Sequence, residues 1–175
     1  YDISAQGGND KTRFFVSGSY FNQKGIILNS GFKRYNFRLN LDNKVTEKLK
    51  LSTGIGLSRS ISNRISNDNN IYGVVSTSLL LGSHIPTYTP NGIYGRDPNS
   101  STENPLANAY EVTNDVANNR ILANVSAEYE IIKNLTFKSQ FGIDFIGLRE
   151  HNYIPSTHLQ GVGPKGDGQE GYSQD

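Results

Sequence analysis

Cysteine is absent from this sequence, and so are long apolar runs and an excess of charge of one sign. Without cysteine there are no disulfides, thiolate zinc sites or cysteine nucleophiles. No apolar run exceeds three residues, whereas a transmembrane helix needs about 20. A helical membrane protein is therefore excluded, but a β-barrel is not, because barrel strands alternate in polarity. The formal net charge of +1 provides no field that would attract nucleic acid.

The residues that are present favour strands and turns. Hydrophobic residues make up 35% of the chain, less than the roughly 45–50% of typical soluble domains. Glycine occurs 18 times, and aromatic residues, mainly Tyr and Phe, reach 10%. The first residues, "YDISAQGG", contain neither a basic nor an apolar signal region. They already alternate like a strand, so we expect the 175 residues to be a piece of something longer.

Alternation of apolar and polar residues predicts six strands, an all-β fold. They cover residues 1–6, 11–22, 32–42, 49–60, 119–130 and 135–146. Phe15 and Phe21 interrupt the alternation of the second strand. Short turns follow the first, third and fifth strands, and longer connections follow the others. This regular asymmetry is typical of an antiparallel up-and-down meander from a large transmembrane β-barrel.

The longest connection, residues 61–118, is predicted to contain one short helix over residues 71–81. Asn70 is placed to cap it, apolar residues recur at helical spacing from Ile71 to Leu79, and Gly82 ends it. The rest of this connection is rich in Asn, Ser, Gly and Pro.

The predicted strand "FKRYNFRLNLD" has one apolar face and one polar face. Its apolar face carries Tyr35, Phe37, Leu39 and Leu41, and its polar face carries Arg34, Asn36, Arg38 and Asn40. A soluble β-sandwich, with its apolar faces packed together, would produce the same alternation, so both readings stay open. The loop asymmetry favours the barrel, as do aromatic residues near both strand ends, Tyr20 and Tyr35 at one and Tyr129 and Phe137 at the other.

Several motifs together resemble a known family. They are "GGNDKTRFFVSGSYFNQKGI", "FKRYNFRLNLD", "LKLSTG", "HIPTYTPNGIYG", "NPLAN" and "LTFKSQFGIDF". In this order they resemble the early barrel of the SusC/RagA-like TonB-linked outer-membrane proteins of Bacteroidota. The resemblance extends to about residue 155, and the combination is more specific than any one motif.

The resemblance implies a bacterial outer-membrane location and a barrel of about 22 strands closed by a plug. It also implies import of oligosaccharides or peptides, energy delivered through TonB, a SusD-like lipoprotein as lid, and lipid around the barrel. Residues 1–175 would then be a partial barrel without the plug. Arg34, Asn36, Arg38 and Asn40 are expected to face the lumen and hold the plug by charge-assisted hydrogen bonds. No catalytic role and no cofactor are expected.

Other candidate sites are weaker. "GVGPKG" at residues 161–166 matches G-x-G-x-x-G but has no following helix. His84, His151 and His158 lack metal spacing and are expected on loop surfaces, the last two in one loop. Asp97, Asn99, Ser101 and Glu103 place oxygens at alternate positions, as a calcium loop does, but without its glycine. Tyrosines in the long loops are candidate contacts for ligand or lid: Tyr72, Tyr88, Tyr94, Tyr110 and Tyr153.

Overall fold

The computed structural model describes residues 1–65, 71–162 and 168–174. These residues form a seven-stranded antiparallel sheet in which the strands follow each other in chain order. The strands are β1 (Asp2–Gly8), β2 (Thr12–Lys24), β3 (Gly31–Lys44), β4 (Leu49–Asn63), β5 (Thr113–Ile132), β6 (Leu135–Ile154) and β7 (Gln169–Gln174). The predicted all-β, up-and-down meander is confirmed.

Three details of the predicted strands are wrong. The described part of the chain contains a seventh strand, and β5 and β6 each have 20 residues, more than predicted. The added segments, such as "TNDVAN" in β5, show little alternation. Their strand structure is set by pairing with the neighbouring strands rather than by local pattern. His151 and Tyr153, expected in a loop, therefore lie in β6.

The described residues contain two short α-helices. The predicted helix is found as α1 (Val74–Leu80), which begins later than expected and has no side-chain cap at Gly73. Its expected cap, Asn70, lies outside the described residues. The expected apolar face is only partly right, because Val74 is buried whereas Leu79 is 82% exposed. None of the described helices is long and apolar enough to cross a membrane.

The second helix, α2 (Pro105–Tyr110), was not predicted. Asn104 precedes it, and its side-chain Oδ1 accepts a hydrogen bond from the backbone N–H of Leu106 at 2.9 Å. Pro105 stands at the start of the helix, where its missing N–H costs nothing. A cap followed by proline was the available signal for this helix.

The chain divides into two compact units. The strand unit comprises Tyr1–Asn22, Lys33–Ser60 and Asn118–Leu148. The loop unit comprises Gln23–Phe32, Ile61–Ala117 and Arg149–Asp175. Among the described residues, the loop unit holds the buried core: Val74, Ala107, Ala109, Val112 and Val116, with Thr77, Glu103, Asn104, Asn108 and His158. Nothing comparable is buried in the described strand unit, where both faces of the sheet are open.

Candidate functional site

The polar face of the strand unit carries the four residues predicted to face a lumen. Arg34, Asn36, Arg38 and Asn40 alternate along β3 and therefore share one face. Asn36 joins three strands, because its Nδ2 donates to Ser19 Oγ at 2.9 Å and its Oδ1 accepts from Ser58 Oγ at 2.9 Å. Asn36 thus helps to fix the sheet, and its side chain is half-buried rather than freely presented.

The two arginines of this group are differently placed. The guanidinium carbon of Arg34 lies 6.0 Å from the centre of the Phe21 ring, within the range of a cation–π contact. Arg38 is exposed, and its guanidinium has no hydrogen-bond or ionic partner among the described residues. Arg38 is therefore the member of the four most able to bind an external acceptor.

Ion pairs cross the same face farther along the sheet. Arg120 binds Asp144 with two hydrogen bonds, Nε to Oδ1 at 2.8 Å and Nη2 to Oδ2 at 2.6 Å. Lys138 Nζ lies 2.9 Å from Glu128 Oε1. A lipid-facing surface would not tolerate these charges, so this face requires water or another polar surface.

A shallow cavity of about 410 Å³ opens on this face. Its polar lining includes Ser17, Ser19 and Arg38, and Phe15 adds an apolar wall. Phe15 and Phe21 lie on the polar face, because in β2 they share parity with Ser17 and Ser19. The candidate residues Asn36 and Arg38 on β3 line this cavity, whereas its β2 residues were not among the candidates. The break in alternation at Phe15 was the signal in the sequence for the β2 side.

The opposite face of the strand unit is apolar and exposed. Phe37 is 41%, Phe141 68% and Phe145 59% exposed. Tyr1, just before β1, forms a ladder with Tyr20 of β2 and Tyr35 of β3, with ring centres 6.5 Å and 5.1 Å apart. A soluble sandwich would bury such a face under a second sheet. The described strands form one sheet, so the sandwich alternative is wrong.

In the loop unit, Tyr88 and Tyr94 form a small hairpin. They pair as an isolated β-bridge, and their rings stack with centres 5.2 Å apart. Gly92, with φ of 78°, makes the turn. Burial raises the pKa of Tyr94, helped by Tyr88 and by the nearby Glu111 and Tyr110. Three of the five candidate tyrosines thus lie in one neighbourhood, while Tyr72 precedes α1 and Tyr153 belongs to β6.

Glu103 is the centre of the buried polar network in the loop unit. Arg96 binds both of its oxygens at 2.7 Å, and the backbone N–H groups of Asn104 and Leu159 each donate to it at 2.8 Å. Arg96 Nη2 also donates to the carbonyl oxygen of Thr157. Burial alone would raise the pKa of Glu103, but the Arg96 and backbone hydrogen bonds outweigh it and lower the pKa.

This use of Glu103 disfavours the calcium loop suggested by the sequence. Both carboxylate oxygens are already satisfied by donors, and the charge is neutralised by Arg96. Among the described residues, no group of three or more acidic, His or Cys side chains is arranged to hold a metal ion.

His158 is buried, so the expectation of a surface position is wrong for this residue. Its Nδ1 accepts from the backbone N–H of Gln160 at 3.2 Å, so the proton of the neutral ring lies on Nε2, which donates to Asn108 Oδ1 at 2.7 Å. Asn108 in turn donates to Thr77 Oγ1 at 3.1 Å. Burial lowers the pKa of His158, against the opposing charge of Glu103.

His84 is exposed, as expected. The "GVGPKG" motif begins at Gly161, the end of a 3-10 turn spanning Leu159–Gly161, and its residues 163–166 lie outside the described residues.

Two curated proteins similar to this chain are both TonB-dependent receptors. No protein-family model matches the chain. It is 28% identical over 171 residues to "TonB-dependent receptor P3" of Formosa agariphila, covering 94% of this chain and 17% of that receptor. It is 31% identical over 158 residues to "TonB-dependent receptor P26" of the same organism, covering 89% of this chain and 15% of the receptor. The chain therefore spans less than a fifth of either relative.

Solved structures of a RagAB peptide transporter share the fold. One matches with a TM-score of 0.68 at 23% identity, covering 93% of this chain and 18% of the other. Another, the importer in an open-open state, matches with a TM-score of 0.66 at 27% identity, covering 88% of this chain and 18% of the other.

The sheet and these matches define the class: the chain is part of an outer-membrane β-barrel. Within that class it is similar to the TonB-dependent receptors of Bacteroidota, and the SusC/RagA-like resemblance found in the sequence is confirmed. The relatives are receptors and transporters rather than enzymes, in agreement with the expectation of no catalytic role.

Proposed function

We propose that the chain forms part of the barrel wall of a TonB-dependent outer-membrane importer. The observation that carries this proposal is the contrast between the two faces of one sheet. One face exposes aromatic and aliphatic side chains, and the other carries hydrogen-bonded polar groups and ion pairs. A wall between lipid and a polar lumen requires this arrangement.

On this proposal, residues 1–175 are a partial barrel, with the plug and the other strands supplied by the rest of the protein. The resemblance implies about 22 strands in the complete barrel. The coverage of only 17% and 15% of the two receptors supports the same view.

The transported substrate is proposed to be an oligosaccharide or a peptide, captured with a SusD-like surface lipoprotein and moved with energy from TonB. The similar solved structures are described as a peptide importer, which supports the peptide half of this proposal. The receptors of Formosa agariphila support the dependence on TonB.

Roles follow for the candidate residues. Arg34, Asn36, Arg38 and Asn40 are proposed to line the lumen, with Arg38 bonding the plug because it has no partner among the described residues. Tyrosines of the loops are proposed to contact ligand or lid: Tyr72, Tyr88, Tyr94, Tyr110 and Tyr153. Of these, Tyr88 and Tyr110 offer the largest exposed rings, at 55% and 52%.

The test is an uptake assay on the full-length protein in its own bacterium. A strain lacking the gene is complemented with wild type, and uptake of fluorescent peptide and oligosaccharide pools is measured with and without functional TonB. We expect uptake of one of the two pools to require both the gene and functional TonB. Uptake that is unchanged by loss of the gene, for both pools, would contradict the proposal.

The lumen assignment is tested by charge reversal at two positions. Arg34→Glu combined with Arg38→Glu should reduce uptake and loosen the plug, measured by its susceptibility to protease. Lys133→Glu, in the turn between β5 and β6, is the matched control and should leave both unchanged. Wild-type uptake and protection in the double variant would contradict the lumen assignment.

A further inference from the structure

The apolar face of the strand unit contains a groove with the cation Arg59 in its lining. The groove has a volume of about 350 Å³, and Tyr35, Phe37, Leu57, Arg59 and Ile121 contribute to its lining. Its apolar side chains are between 41% and 46% exposed. Such a groove offers room for part of an acyl chain laid along the sheet.

Arg59 is the cation at this groove. It has the parity of Leu57 on β4, so it lies on the apolar face. The hydrogen bond between Ser58 and Asn36 makes β3 and β4 neighbours at this level, which places Arg59 beside Tyr35. Arg59 is exposed and has no hydrogen-bond or ionic partner among the described residues.

Lys33 is a second cation on the same face. It precedes Tyr35 by two positions on β3 and therefore points to the same side. By this register Lys33 lies diagonally across the strands from Arg59, about 7–8 Å away between Cα atoms. Lys33 is also exposed and without a partner in the described part of the chain.

The position along the strands is that of a membrane interface. Tyr35 belongs to the tyrosine ladder formed with Tyr1 and Tyr20, and rings of this kind sit at headgroup level. Lys33 lies near the start of β3 and Arg59 near the end of β4, away from the short turn that joins β3 to β4. Short turns face the periplasm in such barrels, so the cations lie at the outer interface.

We propose that Lys33 and Arg59 bind the phosphate of an outer-membrane lipid whose acyl chain lies in the groove between Tyr35, Phe37, Leu57 and Ile121. Two features identify the occupant. The cations, which have no partner among the described residues, match an anionic headgroup, and the exposed apolar groove matches an acyl chain. An arginine fork also suits the oxygens of a phosphate. This inference rests on the proposed function only in requiring that the apolar face contact lipid.

The test uses the full-length protein, purified in a neutral detergent and studied by native mass spectrometry. The probes are phosphatidic acid and diacylglycerol with identical acyl chains, which differ only in the phosphate. Wild type should retain phosphatidic acid in preference to diacylglycerol. Lys33→Gln should weaken that preference about fivefold, and Lys33→Gln with Arg59→Gln roughly twenty-five-fold, as expected for two interfacial cations.

Two controls separate binding of a lipid at this site from general electrostatic attraction and from binding of phosphate alone. Arg13→Gln with Lys50→Gln removes the same charge from the polar face and should leave the preference intact. Soluble glycerol phosphate should fail to displace the lipid, because it lacks the acyl chain that the groove holds. Effective displacement would show that the site takes phosphate alone and would overturn the lipid assignment.

Failure of the inference is distinguishable from failure of the proposed function. A protein that inserts into bilayers and transports, but retains the two lipids equally, would overturn the lipid site alone. A protein that does not insert into bilayers would overturn both. An equal loss of preference in the Arg13→Gln, Lys50→Gln control would show general electrostatics and would also overturn the site.

Discussion

Glu103→Gln is expected to lower the local stability of the loop unit and to leave the stability of the β3 reference strand unchanged. The carboxylate of Glu103 is fully buried and accepts four hydrogen bonds, two from Arg96 and two from backbone N–H groups. Glutamine keeps the shape but removes the charge and turns an N–H group towards a donor. Arg96 would then have no ionic partner among the described residues.

The magnitude follows from burial. Breaking a buried ion pair by removing one partner costs about 3–5 kcal/mol. Because the Arg96 side chain is 30% exposed, water can solvate its unpaired guanidinium and offset part of this cost. We therefore expect about 3 kcal/mol of lost local stability. That corresponds to roughly a hundredfold faster opening-limited exchange. The backbone amides of Leu159 and Asn104 report it directly, because both donate to the carboxylate.

The assay is hydrogen exchange on the full-length protein in detergent, with amides of β3 as the internal reference. Glu150→Gln is the matched control, because its pair with Arg64 is 3.5 Å long and both side chains are about half exposed, at 57% and 45%. A surface pair of this kind contributes about 0–1 kcal/mol. Equal effects of Glu103→Gln and Glu150→Gln on the loop amides would refute the buried-network reasoning.

Three further outcomes are expected. Burial lowers the folded-state pKa of His158 below its ordinary value of 6.5, so the folded loop unit favours the neutral ring. The contribution of His158 to loop stability is therefore complete above about pH 6.5 and is lost on acidification. Loop protection, corrected for intrinsic exchange, should therefore fall below that pH; His158→Gln should remove this step, and exposed His84→Gln should keep it. Gly161→Ala should loosen the loop around residues 155–162, since a Cβ would lie 1.9 Å from the Pro155 carbonyl oxygen, whereas Gly171→Ala meets nothing within 4 Å; proteolysis at equal rates in both variants would contradict this. Asn36→Ala should lower barrel stability by about 1–3 kcal/mol, because two hydrogen bonds that join β2, β3 and β4 are lost, and an unchanged melting temperature would argue against it.

The central strands were predictable because one face is apolar along most of their length. In β3, Tyr35 to Leu41 alternate with Arg34 to Asn40, and a shift of one residue would reverse both faces. The alternation also identified the polar face correctly, and its exceptions Phe15 and Phe21 marked the cavity and the contact with Arg34.

The loop network was not predictable from local patterns. His158 meets Asn108 across 50 residues of chain, and Arg96 meets the Thr157 carbonyl across 61. No periodicity records such a pairing, since each partner alone is an ordinary polar residue in a polar segment. The added ends of β5 and β6 were not predicted for a related reason. Pairing with neighbouring strands, rather than local alternation, determines where these strands end.

The most direct measurement of the central claim is cysteine labelling along β3, which the absence of native cysteine from this chain permits. Phe37→Cys, Leu39→Cys, Arg38→Cys and Asn40→Cys are made one at a time in the full-length protein, with any cysteine elsewhere replaced. In native membranes, a water-soluble maleimide should label positions 38 and 40, and a lipid-soluble reagent should label 37 and 39. Equal labelling of all four positions by the water-soluble reagent would contradict a wall between lipid and lumen.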